Sequence, residues 1–297
     1  MVLHYACAPV LWPLSSDYCV VVVVVLTEHA PAEVSGTDQE TGLVIRELTT
    51  VAEFDAAVTM FCKVWSADSA VDLVNASTLR AWSMSDNYVV GVYLGDELVG
   101  GAVAFRGDKH IHSHLMGVLP DLQGRGLGGM LKEHQLRWAR QRDFHTIRWT
   151  FDPLVRRNAH FNLWKLGATV LSYEKNLYGS LQDGINDGEE TDRLLLEWTD
   201  GESGIRPHPP SAAELLDRPV PADFENRVVD EAEAALRSDD GSIMLVATPE
   251  DIEGMRVTDH KSALQWRTAV RDAFERARKA NYQVAGFTAD GWYVFRR

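Results

Sequence analysis

Residues 117–129 read GVLPDLQGRGLGG, with four glycines in the last six positions. Glycine lets a backbone adopt left-handed conformations and approach a ligand closely. A helical pattern follows directly, from about Gly126 to Arg142, and the first amides of a helix have no acceptor within the helix. Arg125 adds a fixed positive charge beside them. The stretch therefore predicts a pyrophosphate site at the start of a helix.

Two kinds of phosphate-binding loop fit these glycines. Gly124, Gly126 and Gly129 spell G-x-G-x-x-G, the dinucleotide fingerprint, which requires a tight turn directly after a strand of a parallel unit. Here the five residues LPDLQ separate Val118 from the first glycine, and the upstream strands are predicted to be antiparallel. Gln123, Gly126 and Gly128 spell the alternative pattern, Q/R-x-x-G-x-G/A, which resembles the acyl-CoA loop of the GNAT superfamily. We favour the acyl-CoA loop and keep the dinucleotide loop as the alternative.

Hydrophobic periodicity predicts the elements around this loop. Strands are expected at residues 43–48, 88–94, 98–105, 110–118, 146–151 and from 169, and helices at 53–65, 76–82 and 158–166. Further strands are expected at 193–198, 243–247, 282–287 and 292–295, with a long helix at 261–279. Short connections such as GDE and RGDK force antiparallel neighbours. We predict an α/β (α+β) fold with a mixed, mostly antiparallel sheet flanked by helices and a C-terminal α+β extension.

Three segments follow from composition and pattern. Residues 1–43 contain the run CVVVVVVL but no Lys or Arg, which an export signal needs, and residues 28–42 are rich in Glu, Pro, Ser, Thr and Gly. We predict a disordered or spurious leader over 1–43, a catalytic domain over 44–180, and a second lobe or extension over 181–297.

Composition excludes several partners. The formal net charge of −14 disfavours nucleic acid, and no apolar run is long enough to span a membrane. An anionic cofactor needs a local positive region, which the sequence offers at Arg125, Lys132, Arg137, Arg140 and Arg142. Three cysteines provide neither a disulfide framework nor a metal site, so we expect no metal and a cytoplasmic location.

Residues 43–179 resemble a domain of the GNAT (Gcn5-related N-acetyltransferase) superfamily. The strand ending Val118-Leu119-Pro120 is similar to the V-x-P strand whose amides hold the pantetheine arm, which implies this role for Met116, Gly117 and Val118. The loop pattern formed by Gln123, Gly126 and Gly128 is similar to the pyrophosphate loop of that family.

The resemblance extends to other segments and implies the remaining cofactor contacts. It implies pyrophosphate binding by Gln123, Gly124, Arg125, Gly126, Leu127, Gly128 and Gly129, and a CoA contact at Asn158. WTFDPLVRRNAHFNLWKLGA (149–168) and NLYGSLQDGINDGEETDRLLLEW (176–198) resemble a poorly characterised bacterial branch with a long C-terminal extension. The expected co-substrate is acetyl-CoA or another acyl-CoA, and the expected partner is a small-molecule amine such as an amino acid.

Three alternating histidines, His110, His112 and His114, precede the loop on one predicted strand, so their side chains share a face unless a bulge intervenes. Acylation of an amine requires a group that accepts its proton, and histidine titrates in the right range. His112 stands eleven residues before Gln123, where the family often has its base, and the H-x-H pair of His112 and His114 is similar to that of serotonin N-acetyltransferases. We predict His112 and His114 as catalytic residues.

One departure from the family pattern concerns the acid for the leaving thiolate. Many relatives have a tyrosine four residues before the glycine of their Y-x-x-x-G-F element, where this chain has Leu163. Solvent, Tyr173 or Tyr178 are the alternatives. Near the expected acceptor pocket we place Asp152, Arg156 and Arg157, with Arg156 a candidate for a substrate carboxylate.

The sequence thus predicts an acyltransferase, transferring groups other than amino-acyl groups, that forms no covalent enzyme intermediate. A catalytically silent acyl-CoA-binding sensor is the second hypothesis, and a nicotinamide-dependent oxidoreductase is the third. The oligomeric state is not predicted.

Overall fold

The structure is a computed structural model and describes residues 36–38, 42–67, 73–179, 190–199, 208–231 and 233–297. All of them fall within one compact unit, Val34–Arg297. Most of the expected leader, residues 1–35 and 39–41, lies outside the described residues. Within the rest of it, Gly36–Asp38 forms a strand that pairs with the strand beginning at Leu43. Gly42, with φ of +67°, supplies the left-handed residue at the end of the connection.

The described residues contain twelve strands. They are β1 Gly36–Asp38, β2 Leu43–Glu47, β3 Tyr88–Leu94, β4 Glu97–Arg106, β5 Ile111–Val118, β6 Thr146–Phe151, β7 Thr169–Glu174, β8 Arg193–Thr199, β9 Ala235–Arg237, β10 Ile243–Ala247, β11 Gln283–Phe287 and β12 Trp292–Arg296. Every strand expected from periodicity is present, with bounds shifted by two residues at most.

Eight strands form the first sheet, in the order β1-β2-β3-β4-β5-β6-β8-β7. All neighbours are antiparallel except β5 and β6, which are parallel and joined by a helix. The expected mixed, mostly antiparallel sheet is confirmed. Strand β8, which the sequence placed in the C-terminal segment, lies between β6 and β7 of this sheet. The domain boundaries at 43 and 180 therefore stay a prediction.

Eight α-helices accompany the strands in the part of the chain that the structure describes. They are α1 Val51–Val64, α2 Ala76–Met84, α3 Leu127–Arg140, α4 Arg156–Ala159, α5 Ala212–Leu216, α6 Phe224–Glu231, α7 Ile252–Thr258 and α8 His260–Lys279. A π-helical turn, His160–Lys165, continues α4. Thr50 caps α1 through a capping box with Glu53, which explains where that helix begins. No described helix is long and apolar enough to cross a bilayer.

The C-terminal part adds a four-stranded antiparallel sheet, in the order β11-β12-β10-β9, against which α8 packs. Its core is continuous with that of the first sheet: Trp198 and Leu154 belong to the same buried cluster as Trp266 and Tyr293. Tyr293 also donates a hydrogen bond to the carbonyl of Pro153, at 2.7 Å. The expected α+β extension is thus packed onto the first sheet.

Candidate functional site

Strands β5 and β6 diverge, which opens the sheet at its centre. Pairing between them is limited to Ile111 with Ile147 and His112 with Arg148, although β5 continues to Val118. Among the described residues, the rest of β5 pairs on one side only, with β4. The diverging strands leave main-chain groups of β5 without a neighbouring strand.

The register between β4 and β5 identifies the main-chain groups of β5 that face the opening. The amide of Leu119 donates to the carbonyl of Val99 at 2.9 Å, and hydrogen-bonded pairs alternate along antiparallel strands. The main-chain groups of Gly117 therefore face β4, whereas those of Met116 and Val118 face the opening. The side chain of Gln123 donates to the carbonyl of Val118 at 3.2 Å, from the open side. Gly117 packs tightly, since a Cβ there would stand 2.7 Å from the Val64 side chain.

The glycine loop has the conformation that its sequence predicts. Gly124 and Gly126 have φ of +77° and +88°, which L side chains rarely adopt. Gly126 is the N-cap of α3 and no side chain caps the helix. The structure shows no acceptor among the described residues for the amides of Leu127 and Gly128. These amides, with the positive end of the helix dipole, form a candidate anion site.

The surroundings of the loop leave room for a ligand. A Cβ placed on Gly124, Gly126 or Gly129 would meet no atom within 4 Å. Arg125 is exposed beside them. At Gly128 a Cβ would contact the ring of Phe161, at 3.5 Å, so the π-helical turn after α4 packs against the start of α3. Asn158, half-buried in α4, lies one turn before Phe161. Such π-helical turns occur often at functional sites.

A pocket of about 440 Å³ lies over the divergence of β5 and β6. Its walls come from five neighbouring strands and the turn after β7: Phe105, His112, His114, Thr150, Glu174, Leu177, Tyr178 and Leu195. The rings of His112 and His114 are 6.1 Å apart, and that of His112 stacks on Phe105 at 4.9 Å. His110 stands outside it. The structure therefore brings the two histidines together.

A bulge in β5 accompanies this arrangement. Val103 pairs with Leu115 but Ala104 pairs with Ser113, so His114 is the extra residue. An extra residue re-aims the side chains near it. Ser113 points away from the pocket and accepts a hydrogen bond from Lys132 on α3.

Burial lowers the pKa of both histidines. The pKa of His112 is lowered to about 4, first by burial and then by the charges of His114, His110 and Lys132. The pKa of His114 is lowered by burial alone. Both imidazoles are therefore neutral near pH 7 and can accept a proton, with His112 the weaker base.

The structure separates the two alternative tyrosines. The Tyr178 hydroxyl lies in the histidine pocket, 2.9 Å from Oγ1 of Thr150. The Tyr173 hydroxyl donates instead to Asp192 at 2.6 Å, and burial followed by that carboxylate raises its pKa well above the usual range. Leu163 is buried in the core. Tyr178 is thus the tyrosine placed to act in the pocket.

The three charged residues expected near the acceptor pocket are engaged elsewhere. Arg156 donates through Nε to Oγ1 of Thr248 at 3.2 Å, and Arg157 pairs with Glu253. Asp152 is buried among arginines, accepting from Arg267 at 2.7 and 2.8 Å. None of the three lines the histidine pocket, and their partners lie about a hundred positions later in the chain, beyond the reach of sequence spacing.

The positive region also differs from expectation. Lys132 is fully buried, donates to Ser113 at 3.0 Å and lies 3.8 Å from the Trp149 ring centroid. Burial lowers its pKa to about 7. Arg142 is engaged with Asp86 at 2.9 Å. Of the cations expected in this region, Arg125 lies in the glycine loop itself.

Known proteins support one assignment. Residues 55–167 match the sequence model of the acetyltransferase (GNAT) family. The chain carries a GNAT acetyltransferase domain. The match covers α1 to the π-helical turn, and so includes the histidines, the glycine loop and Asn158. A comparison with curated proteins finds no match.

Solved structures similar to the chain include three acetyltransferases. The ribosomal-protein-S18-alanine N-acetyltransferase of Escherichia coli has 18% identity and a TM-score of 0.43, over 56% of this chain and 99% of that one. A GNAT family acetyltransferase of Elizabethkingia anophelis with acetyl-CoA bound has 16% identity and a TM-score of 0.40, over 53% of this chain and 98% of that one. The ribosomal-protein-S5-alanine acetyltransferase of Vibrio fischeri has 12% identity and a TM-score of 0.45, over 58% of this chain and 100% of that one.

Proposed function

We propose that this chain transfers an acyl group, most simply acetyl, from acyl-CoA to the amine of a small molecule. One observation carries the proposal: the open side of β5 leads directly into a glycine loop in which the amides of Leu127 and Gly128 have no acceptor in the described structure. The same opening lies beneath the histidine pocket. A cofactor site and an acceptor site therefore adjoin.

The residues that would hold the co-substrate divide by the part they contact. The main chain of Met116 and Val118 faces the opening and would pair with the amide-bearing arm, with Gly117 between them. The loop from Gly124 to Gly129, with Arg125 and the Gln123 side chain, would surround the pyrophosphate, and the amides of Leu127 and Gly128 would donate to it. Asn158 would contact the arm from α4. When bound, acetyl-CoA supplies a thioester carbonyl that an amine can attack.

The pocket favours an amine with an apolar body. Its exposed wall is almost wholly apolar, and Glu174 contributes one carboxylate, which accepts a hydrogen bond from Ser172 at 2.6 Å. That carboxylate attracts an ammonium group, while Phe105, Leu177 and Leu195 contact the rest of the substrate. The amine loses a proton before it attacks, and His114 or His112 accepts it. As the C–N bond forms and the C–S bond breaks, Tyr178 donates its hydroxyl proton to the departing sulfur, and the phenolate is reprotonated by the second proton that the acylated nitrogen loses, directly or through solvent.

The test combines binding with turnover. The purified chain is titrated with CoA by calorimetry and incubated with acetyl-CoA and a panel of amines while free thiol is followed. We expect CoA binding, and thiol release with at least one amine. CoA binding without release for any amine would favour the sensor, and NADH binding without CoA binding would favour the oxidoreductase.

Variants of the two tyrosines test the acid. Tyr178→Phe should lower kcat by about 100-fold or more, as expected when a general acid is removed, and leave CoA affinity unchanged. Tyr173→Phe is the matched control, since its hydroxyl is held by Asp192 outside the pocket. It should keep kcat. Equal kcat in both variants would remove Tyr178 from the mechanism.

A further inference from the structure

A second cavity, of about 190 Å³, lies where α4 meets the C-terminal sheet. It shares no lining residue with the histidine pocket. Its volume is far above what a single water needs, and below the roughly 300–1,000 Å³ of sites for drug-sized ligands. The residues that matter here are Arg156, Glu225, Thr248, Trp266, Asp290 and Trp292.

Charges of both signs line this cavity without touching. Arg156 is half-buried, and its Nε and Nη2 donate to the hydroxyl and carbonyl of Thr248. In the part of the chain that the structure describes, Nη1 has no partner and no carboxylate lies within 4.0 Å of the guanidinium. Burial lowers the pKa of Arg156, whereas the charges of Glu225, Glu250 and Asp290 act to raise it. The guanidinium and the carboxylates are thus close enough to interact but leave a gap.

Among the residues that the structure describes, the two carboxylates have few hydrogen-bond donors. Asp290 accepts from the amide of Ala212, at 2.9 and 3.2 Å, which fixes its position. A carboxylate has about four lone-pair sites, so most of its capacity is left. Glu225 is exposed at the start of α6.

Aromatic rings supply the apolar part of the wall. Trp266 and Trp292 are 1% and 6% exposed, and the ring of Phe224 lies 4.7 Å from that of Trp292. Side chains this deeply buried hold a fixed shape, and Trp faces attract ammonium groups as well as apolar ones.

We propose that this cavity binds a small zwitterion carrying an ammonium and a carboxylate group, of the free α-amino-acid class. Nη1 of Arg156 binds the ligand's carboxylate, Glu225 and Asp290 bind its ammonium, and the tryptophans contact its side chain. An anion alone would be repelled by two carboxylates, and a cation alone would leave the guanidinium of Arg156 facing a like charge. A zwitterion satisfies both signs.

The test is binding by the full chain without acetyl-CoA. Individual L-amino acids are titrated by calorimetry, with matched alkylamines that lack the carboxylate and carboxylic acids that lack the amine. We expect at least one amino acid to bind at micromolar to millimolar concentration and neither partial probe to bind comparably. Binding of the alkylamines as tightly as the amino acids, or no binding by any amino acid, would overturn the proposal.

Paired variants separate this cavity from the acceptor pocket, where an amino acid can also bind as substrate. Glu225→Gln should weaken amino-acid binding by about tenfold or more, whereas Glu174→Gln in the histidine pocket should leave it unchanged. The reverse pattern would place the ligand in the acceptor pocket and refute the second site. Because Glu225 is exposed, its replacement should not disturb folding, and an unchanged unfolding temperature without ligand checks this. Acetyl transfer is measured separately, so either proposal can fail without the other.

Discussion

At the scale of single residues, Gly126 tests the cofactor site most directly. Its φ of +88° is a conformation that costs an L side chain about 1–2 kcal/mol. Gly126→Ala should therefore shift the loop and displace the amides of Leu127 and Gly128. We expect CoA affinity, measured by calorimetry, to fall by about tenfold or more, which corresponds to about 1.4 kcal/mol.

Gly241 provides a control with the same backbone strain. It has φ of +68°, and a Cβ there would meet no atom within 4 Å, but it lies in the β9–β10 connection. Gly241→Ala should lower the unfolding temperature about as much as Gly126→Ala does, but it should leave CoA affinity unchanged. If both variants bind CoA as tightly as the parent chain, the loop is not the pyrophosphate site.

The histidine pocket makes folding depend on pH. The pKa of His112 is lowered from 6.5 to about 4. His112 therefore binds a proton below about pH 6.5 in the unfolded chain, but only below about pH 4 in the folded chain. The unfolded state then binds more protons, and the free energy of unfolding falls as the pH drops through this window. His114 acts in the same direction. Urea denaturation at a series of pH values should show a smaller fall for His112→Asn; an identical fall would contradict the burial of a neutral His112.

Residue types alone predicted the left-handed glycines of the loop and the neighbouring histidines of β5, but they misplaced two cations. Glycines at φ above 0° and alternating histidines are local features that spacing reveals. Lys132 was expected to contribute to the positive region for an anionic cofactor, but it is buried, where charged side chains seldom lie. Its burial depends on Ser113 and Trp149, which only the packing of α3 on the sheet brings near. Arg156 likewise finds Thr248 across 92 positions.

At the scale of elements, periodicity was sufficient for the long helices and for all strands except the three-residue strands β1 and β9, which were missed. β3, β6 and β10 have the predicted bounds, because runs of β-branched and aromatic residues between turn residues are strong signals. Helices α5, α6 and α7 were missed because five to eight residues carry too little periodicity. Two cap signals were present in the sequence: Ser211 with Glu214 forms a capping box at α5, and Asp251 caps α7.

The contact between β6 and the C-terminal helices depends on one carboxylate. Asp152, 7% exposed, accepts from Arg256 at 2.6 Å and from both terminal nitrogens of Arg267. Asp152→Asn keeps the shape but leaves buried positive charge uncompensated, which costs about 3–5 kcal/mol. Chemical denaturation should show a loss of this size.

The pair of Arg157 with Glu253 is the matched control, because it joins α4 to α7 at the surface. Its side chains are 57% and 24% exposed. Exposed pairs contribute about 0–1 kcal/mol, so Glu253→Gln should change the free energy of unfolding little. Losses of equal size in the two variants would show that Asp152 is not buried as the structure has it.

At the scale of the whole molecule, the two sheets of Val34–Arg297 should unfold together. One buried cluster contains side chains of both sheets, and β8 follows residue 180 in sequence but belongs to the first sheet. Tyr293 and the arginines of α7 and α8 satisfy polar groups just after β6. Loss of the C-terminal sheet and its helices would expose that core and leave the charge of Asp152 without its arginine partners. Calorimetry should therefore show one transition with a calorimetric-to-van't Hoff enthalpy ratio of about one. Two resolved transitions would instead support independent domains divided near residue 180.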